Sequence, residues 1–143
     1  MCTIYNNCKF TDLVKEKFLI TEMLKGKIHR ATVTEADLNY VGSLTLDKDL
    51  IDAAGFQEYE KIHVLDITNG NRIDTYIICG ERGSGKVCIN GAAAHLIHKD
   101  DLVIIVSYCQ LDETEAQNHS PQIVHVNSEN KVVFKSNEEP VLV

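Results

Sequence analysis

From Lys27 onward the chain alternates apolar and polar residues with period two. Ile28-His29-Arg30-Ala31-Thr32-Val33-Thr34 is the first stretch rich in β-forming side chains and predicts the first strand, after Gly26 and before an acidic turn. Ser43-Leu44-Thr45-Leu46 predicts a second, short strand. Asp47 then has the chemistry of an N-cap, and a helix is expected through Ala54, closed by Gly55 in the left-handed C′ position. Two further β-rich runs, Ile62 to Ile67 and Arg72 to Ile78, flank Asn69-Gly70, a dipeptide that favours a type I′ hairpin. Val87-Cys88-Ile89 predicts another strand, Ala92 to Ile97 one or two helical turns, and Leu102 to Tyr108 a buried strand, with short β-like pieces after it. Before this region, Phe10, Leu13, Val14 and Phe18 fall near helical spacing, which predicts a short amphipathic helix over residues 9 to 20. Many short strands, little helix and no linker-like segment point to a mainly β, single-domain closed barrel, with a two-sheet sandwich as the alternative.

Composition narrows the functional classes. The chain has 143 residues, 44% of them apolar, and no run approaches the roughly 18 apolar residues of a transmembrane helix. A formal charge of −7 repels a phosphate backbone, so neither a nucleic-acid nor a membrane partner is expected. Five cysteines, Cys2, Cys8, Cys79, Cys88 and Cys109, include no C-x-x-C pair. Free thiols acting as small hydrophobes fit a reducing, cytoplasmic compartment, and the first twenty residues lack the features of a targeting signal.

Two tempting motifs fail on context. Gly80-Glu81-Arg82-Gly83-Ser84-Gly85-Lys86 satisfies the G-x-x-x-x-G-K portion of a phosphate loop. However, Val87 replaces the Ser or Thr that holds Mg²⁺, and a strand follows where a helix should begin, so a flexible hairpin turn is expected instead. His95-x-x-His98 places two imidazoles on one helix face with no HExxH element beside them, and no metal site is expected.

Four segments carry more weight together: Gly26-Lys27-Ile28-His29-Arg30, Tyr40-Val41-Gly42-Ser43, Thr68-Asn69-Gly70 through Arg72-Ile73-Asp74-Thr75-Tyr76, and Asn90-Gly91-Ala92-Ala93-Ala94-His95. In their order and spacing the sequence resembles the pyruvoyl-dependent aspartate 1-decarboxylase family of pantothenate synthesis, from about Met23 through the C-terminal strands. The resemblance implies a double-psi β-barrel with a few short helices, assembled as a homotetramer with active sites between subunits. It implies self-cleavage between Gly42 and Ser43, where glycine permits a tight backbone, into a chain of residues 1–42 and a chain of residues 43–143. Ser43 becomes a covalent pyruvoyl group, so no pyridoxal phosphate and no metal are required. The ketone forms a Schiff base with L-aspartate and accepts the electrons left by departing CO₂, giving β-alanine.

The same resemblance assigns Tyr76 as proton donor. It assigns Thr75, Gly91, Ala92 and Ala93 as substrate contacts, with Asn90 in a hydrogen-bonding role. His29 and Tyr40, which flank the motifs, are expected to support the site. A dianionic substrate on an acidic protein needs a local cationic pocket, which is expected at Arg72, whose planar fork suits a carboxylate, and at Lys27. Val41 stands where many members carry an acidic residue, and Leu65 where some carry Trp. Residues 1 to 20 precede the usual family start, and two readings stand for them, an N-terminal extension of the barrel domain over residues 21–143 or an upstream mis-start. Some family members mature with a helper protein, so both unaided cleavage and cleavage with a helper are open for this chain. A non-catalytic barrel that binds a small acidic ligand is the competing reading, and it predicts an uncut chain.

Overall fold

The computed structural model describes residues 18–137. Among the described residues nine strands run in chain order: β1 (Ile20–Thr32), β2 (Glu35–Asp37), β3 (Ser43–Asp47), β4 (Lys61–Asp66), β5 (Arg72–Gly80), β6 (Val87–Asn90), β7 (Leu102–Asp112), β8 (Gln122–Val126) and β9 (Val132–Ser136). Between them lie helix α1 (Lys48–Ala54), a 3-10 turn (Gly91–His95) and helix α2 (Glu113–Gln117). The fold is mainly β and barrel-like, with ladder order β2-β6-β3-β5-β4-β7-β1-β8-β9. Antiparallel pairs dominate, but β1 with β8, β2 with β6 and β3 with β5 are parallel.

Period-two alternation explains which side chains fill the interior. Ile28, Leu44, Leu46, Ile62, Val64, Ile77, Ile89, Val103 and Ile105 turn to one face and form a single buried cluster. Helix α1 closes it with Leu50, Ile51 and Ala54. Its ends match the expected chemistry: the Asp47 carboxylate accepts from Asp49 N–H, and Gly55 sits at φ 69°.

Several elements differ from the sequence expectation. The first strand begins at Ile20, well before Ile28, and ends at Thr32. The helix expected over residues 9 to 20 falls almost wholly outside the described residues, and Ile20 itself is the first residue of β1. Strands β4 and β5 pair antiparallel as expected, but their turn is not type I′. That turn needs positive φ at both central residues, whereas here Gly70 alone of Asn69-Gly70 has it, at 80°. A longer loop forms instead, closed by Gly70 N–H donating to the Asp66 carbonyl at 2.9 Å and by Asp66 N–H donating to Asn71 O at 2.8 Å. The Asp66 side chain explains the choice, because its Oδ1 accepts from Thr68 N–H at 2.8 Å and Asn69 N–H at 3.2 Å.

Asp66 also meets a second acid. Its Oδ2 is buried without a hydrogen-bond donor, and the neighbouring carboxyl is Asp101, so a bond between the two requires a shared proton. Burial first, and then Asp101, hold the Asp66 carboxyl above its ordinary value. A raised folded-state pKa gives stability that is present below the unfolded value, about 4 for aspartate, and is lost as pH rises through the folded one. Asp66→Asn keeps the turn's acceptor and supplies a permanent donor to Asp101. Its melting temperature is expected to equal or exceed wild type at pH 7.5, with a flatter dependence above pH 4; a lower value with an unchanged slope rejects the shared proton.

Candidate active site

The alternation that buries Leu44 and Leu46 sends Ser43 and Thr45 to the opposite face of β3, and in β6 it sends Cys88 and Asn90 the same way. The antiparallel register sets Ser43 opposite Asn90 and Thr45 opposite Cys88. The Asn90 carboxamide therefore sits among three side chains. Its Nδ2 donates to Ser43 Oγ at 3.0 Å and to Thr45 Oγ1 at 2.9 Å, while its Oδ1 lies 3.2 Å from Cys88 Sγ. Ser43 and Asn90 are 1% and 2% exposed, so this network works away from bulk water. Ser43 Oγ in turn donates to the Val41 carbonyl at 3.3 Å.

Backbone geometry at the Gly42–Ser43 bond differs from expectation. Among the described residues the glycine with positive φ here is Gly91, at 69°, and Gly42 has none. A Cβ on Gly91 would stand 2.7 Å from Gly42 Cα, 2.9 Å from Gly42 N and 3.0 Å from the Tyr40 carbonyl. Gly91 is thus the platform on which residues 40–42 lie, and only a residue without a side chain permits that approach. Ala92 and Ala93 follow in the 3-10 turn, the first exposed and the second packed against the core.

The remaining candidate residues are placed by the neighbouring ladders. Strand β5 runs parallel to β3 with Leu44 opposite Ile77, so Tyr76 is level with Ser43 and Thr75 with Gly42, just beyond the paired residues. Both are half-buried. Alternation puts Tyr76 on the face shared by Arg72 and Asp74, and Thr75 with Ile73 and Ile77. Tyr40 is 56% exposed beside Val41 at 75%, so the segment entering the Gly42–Ser43 bond presents apolar surface.

Arg72 and Lys27 are not gathered around Ser43 within one chain. Arg72 is exposed at the start of β5, four residues or roughly 13 Å of strand before Tyr76. Lys27 lies on β1 in a cross-strand row with Val106, His63 and Asp74, three strands or roughly 14 Å from β5. His29 is on β1 too, its ring 5.4 Å from that of His125.

The glycine-rich segment is not a hairpin turn, because β3 lies between β5 and β6. Its backbone does cradle an anion, but an internal one. Gly83 N–H at 2.9 Å and Gly85 N–H at 2.7 Å donate to the carboxylate of Asp47, which also caps α1. Burial pushes the Asp47 carboxyl up, but the N–H groups of Asp49, Gly85 and Gly83, with the charge of Lys131, outweigh it and hold the carboxyl below its ordinary value. His95 and His98 are both exposed. Of the cysteines expected to act as small hydrophobes, Cys88 is buried, Cys109 half-buried and Cys79 exposed; Cys2 and Cys8 lie outside the described residues.

The family model for aspartate decarboxylase matches residues 19–133, which contain Ser43 and all its neighbours described above. The chain belongs to the aspartate decarboxylase family. It is 56% identical over 125 residues to the aspartate 1-decarboxylase of Corynebacterium efficiens, covering 86% of this chain and 92% of that one. Against the aspartate 1-decarboxylase of Caldicellulosiruptor saccharolyticus it is 56% identical over 121 residues, covering 85% and 94%. The aspartate 1-decarboxylase of Acetivibrio thermocellus is 55% identical over 117 residues, covering 82% and 93%. Within the frame of the aspartate decarboxylase family, sequence reading missed Thr45 and Cys88 as neighbours of the Gly42–Ser43 bond. The available signal was parity, since Thr45 is two residues from Ser43, and Cys88 two from Asn90, on alternating strands.

Proposed function

We propose that the chain cleaves itself between Gly42 and Ser43 and then decarboxylates L-aspartate to β-alanine and CO₂, in the service of pantothenate synthesis. The observation that carries this reading is the buried Ser43 hydroxyl, held by Asn90 Nδ2 at 3.0 Å beside a glycine seated on Gly91, within a chain of the aspartate decarboxylase family.

Cleavage follows from the residues present. Ser43 Oγ adds to the Gly42 carbonyl carbon through a five-membered ring, and the C–N bond breaks to leave an ester and a free Ser43 amine. Asn90 donates to the attacking oxygen and so stabilises negative charge on it. Thr75, level with Gly42 on the adjoining strand, supplies a hydroxyl for the carbonyl oxygen as it becomes anionic. Loss of the Ser43 α-proton then expels the Gly42 carboxylate, and water converts the resulting enamine to a ketone and ammonia.

The pyruvoyl ketone so formed supplies the electron-accepting carbonyl for decarboxylation. Tyr76, half-buried and level with Ser43, holds the proton returned to carbon after CO₂ departs. Gly91, Ala92 and Ala93 offer backbone to the substrate at close range. Arg72 and Lys27 are assigned to the substrate carboxylates, and their distance from Ser43 within one chain is the reason for placing the working site between copies in a homotetramer. Tyr40 and His29 support that arrangement. The finer topology is proposed to be the family's double-psi barrel, and the compartment the cytoplasm. A helper protein is proposed to act only where the isolated chain stays uncut.

Intact mass of the incubated chain, with an assay for β-alanine from L-aspartate, tests this reading. Two fragments, residues 1–42 and a ketone-bearing 43–143, are expected together with turnover; a chain that stays whole and inactive even with a helper overturns it. For Tyr76→Phe we expect unchanged fragments and turnover lower by about 100-fold, the scale of a lost general acid. Normal turnover would remove Tyr76 from its role.

A further inference from the structure

We infer that Cys88 is a positioning residue for the cleavage, its thiol donating to Asn90 Oδ1 and thereby fixing the amide with Nδ2 toward Ser43. The inference rests on the reading of Ser43 as the cleaving nucleophile.

A carboxamide can occupy the same space in two orientations that exchange its oxygen and nitrogen. The Thr45 hydroxyl cannot choose between them, because it can either donate or accept, and Ser43 selects Nδ2 only while its single hydrogen stays on the Val41 carbonyl at 3.3 Å. Both hydrogens of Nδ2 are used, one on each hydroxyl, at 3.0 and 2.9 Å. What distinguishes the two ends whichever way the Ser43 hydroxyl turns is the third neighbour, Cys88 Sγ at 3.2 Å. A thiol is a donor first and only a weak acceptor, so it selects the oxygen. In the flipped state Ser43 would face an acceptor, and the attacking oxygen would lose the N–H that stabilises its charge.

The surroundings keep the thiol protonated. Cys88 is 5% exposed. Burial raises its pKa above the ordinary thiol value, as does the negative charge of Glu35, whose Oε2 lies 3.9 Å from Sγ; Lys86 offsets part of this and Asp37 adds to it. Those groups come from β2 and from the entry to β6. The other titratable groups lining the same recess, of about 280 Å³, are Tyr40 and Cys79. The position therefore requires a neutral donor, which serine supplies and alanine does not.

The test follows the cleavage rate of freshly prepared precursor by intact mass between pH 6 and pH 10, with the melting temperature of each uncut chain measured alongside. Cys88→Ser is expected within about threefold of wild type, and Cys88→Ala about tenfold slower, the order of one hydrogen bond. With burial and Glu35 holding the thiol protonated, the ratio of the Cys88→Ser rate to the wild-type rate should stay constant from pH 6 to pH 8. Equal rates for wild type and Cys88→Ala overturn the inference while leaving self-cleavage intact. A Cys88→Ser chain as slow as Cys88→Ala also overturns it, since that assigns the effect to packing. A wild-type chain that never cleaves fails at the earlier reading instead.

Discussion

A Ser43→Ala chain is expected to remain one uncut polypeptide and to form no β-alanine from L-aspartate. The substitution removes one oxygen from a site whose other members stay in place: Asn90 Nδ2 keeps its bond to Thr45 Oγ1, and Gly91 still carries Gly42. The lost contacts are the bond from Asn90, whose buried Nδ2 is left short of one acceptor at about 1–3 kcal/mol, and the bond to the Val41 carbonyl, worth about 1 kcal/mol. The core cluster does not include Ser43, so the uncut variant should still fold and melt on the order of 10 °C or less below the wild-type precursor. Chemistry and folding are thereby separated. No other hydroxyl is positioned to close a five-membered ring onto the Gly42 carbonyl, and no other residue can become the ketone. Measured turnover from an uncut Ser43→Ala protein would falsify the proposed chemistry outright.

The second large effect is expected away from the reaction. Asp47 is 1% exposed and its carboxylate holds three backbone donors, Asp49 N–H at 2.8 Å, Gly83 N–H at 2.9 Å and Gly85 N–H at 2.7 Å. Asp47→Ala removes a helix cap worth about 1 kcal/mol. It also strands the buried Gly85 N–H at a further 1–3 kcal/mol or so, whereas the exposed Gly83 can turn to water. A loss of about 2–4 kcal/mol corresponds to a fall in melting temperature on the order of 10 °C for a domain of this size. The pH dependence has a sign of its own. Because the folded carboxyl sits below its ordinary value, its contribution is present above the unfolded pKa of about 4 and disappears as pH falls through the folded one. Asp47→Ala should therefore lose most at neutral pH and converge on wild type in acid. A melting temperature within 2 °C of wild type at pH 7 rejects the account.

Legibility in the sequence followed how local the determining interactions were. The helix from Lys48 to Ala54 could be read because its cap and its terminating glycine are its immediate neighbours. The pairing of β4 with β5 could be read because two β-rich runs flank a turn dipeptide, but the turn type could not, since the Asp66 side chain dictates it from outside the dipeptide. Strand β2 was invisible. Its three residues, Glu35, Ala36 and Asp37, are exposed and two of them are acidic, and they become a strand by pairing with β6, more than fifty positions away. Helix α2 buries nothing and so shows no apolar face, although its capping box, Asp112 with Glu115, was there to be seen. The glycine-rich segment advertised an anion, and only the fold could show that the anion is Asp47. At the site, resemblance supplied Ser43, Tyr76 and Asn90, and parity alone could have added Thr45 and Cys88.

The placement of β1 bears on what kind of object the proposed cleavage would produce. This strand lies within the first piece of a chain cut at Gly42, yet it sits between β7 and β8, pairing with β7 from Ile20 to Thr32 and with β8 from Gly26 to His29. Under the proposed cleavage the two pieces would be interleaved, and neither could leave without dismantling the sheet that both build. Unfolding would release them as separate molecules, and the way back would become a bimolecular search that dilution slows. Maturation would accordingly exchange a reversible equilibrium for persistence in time, with lifetime set by how rarely the sheet opens.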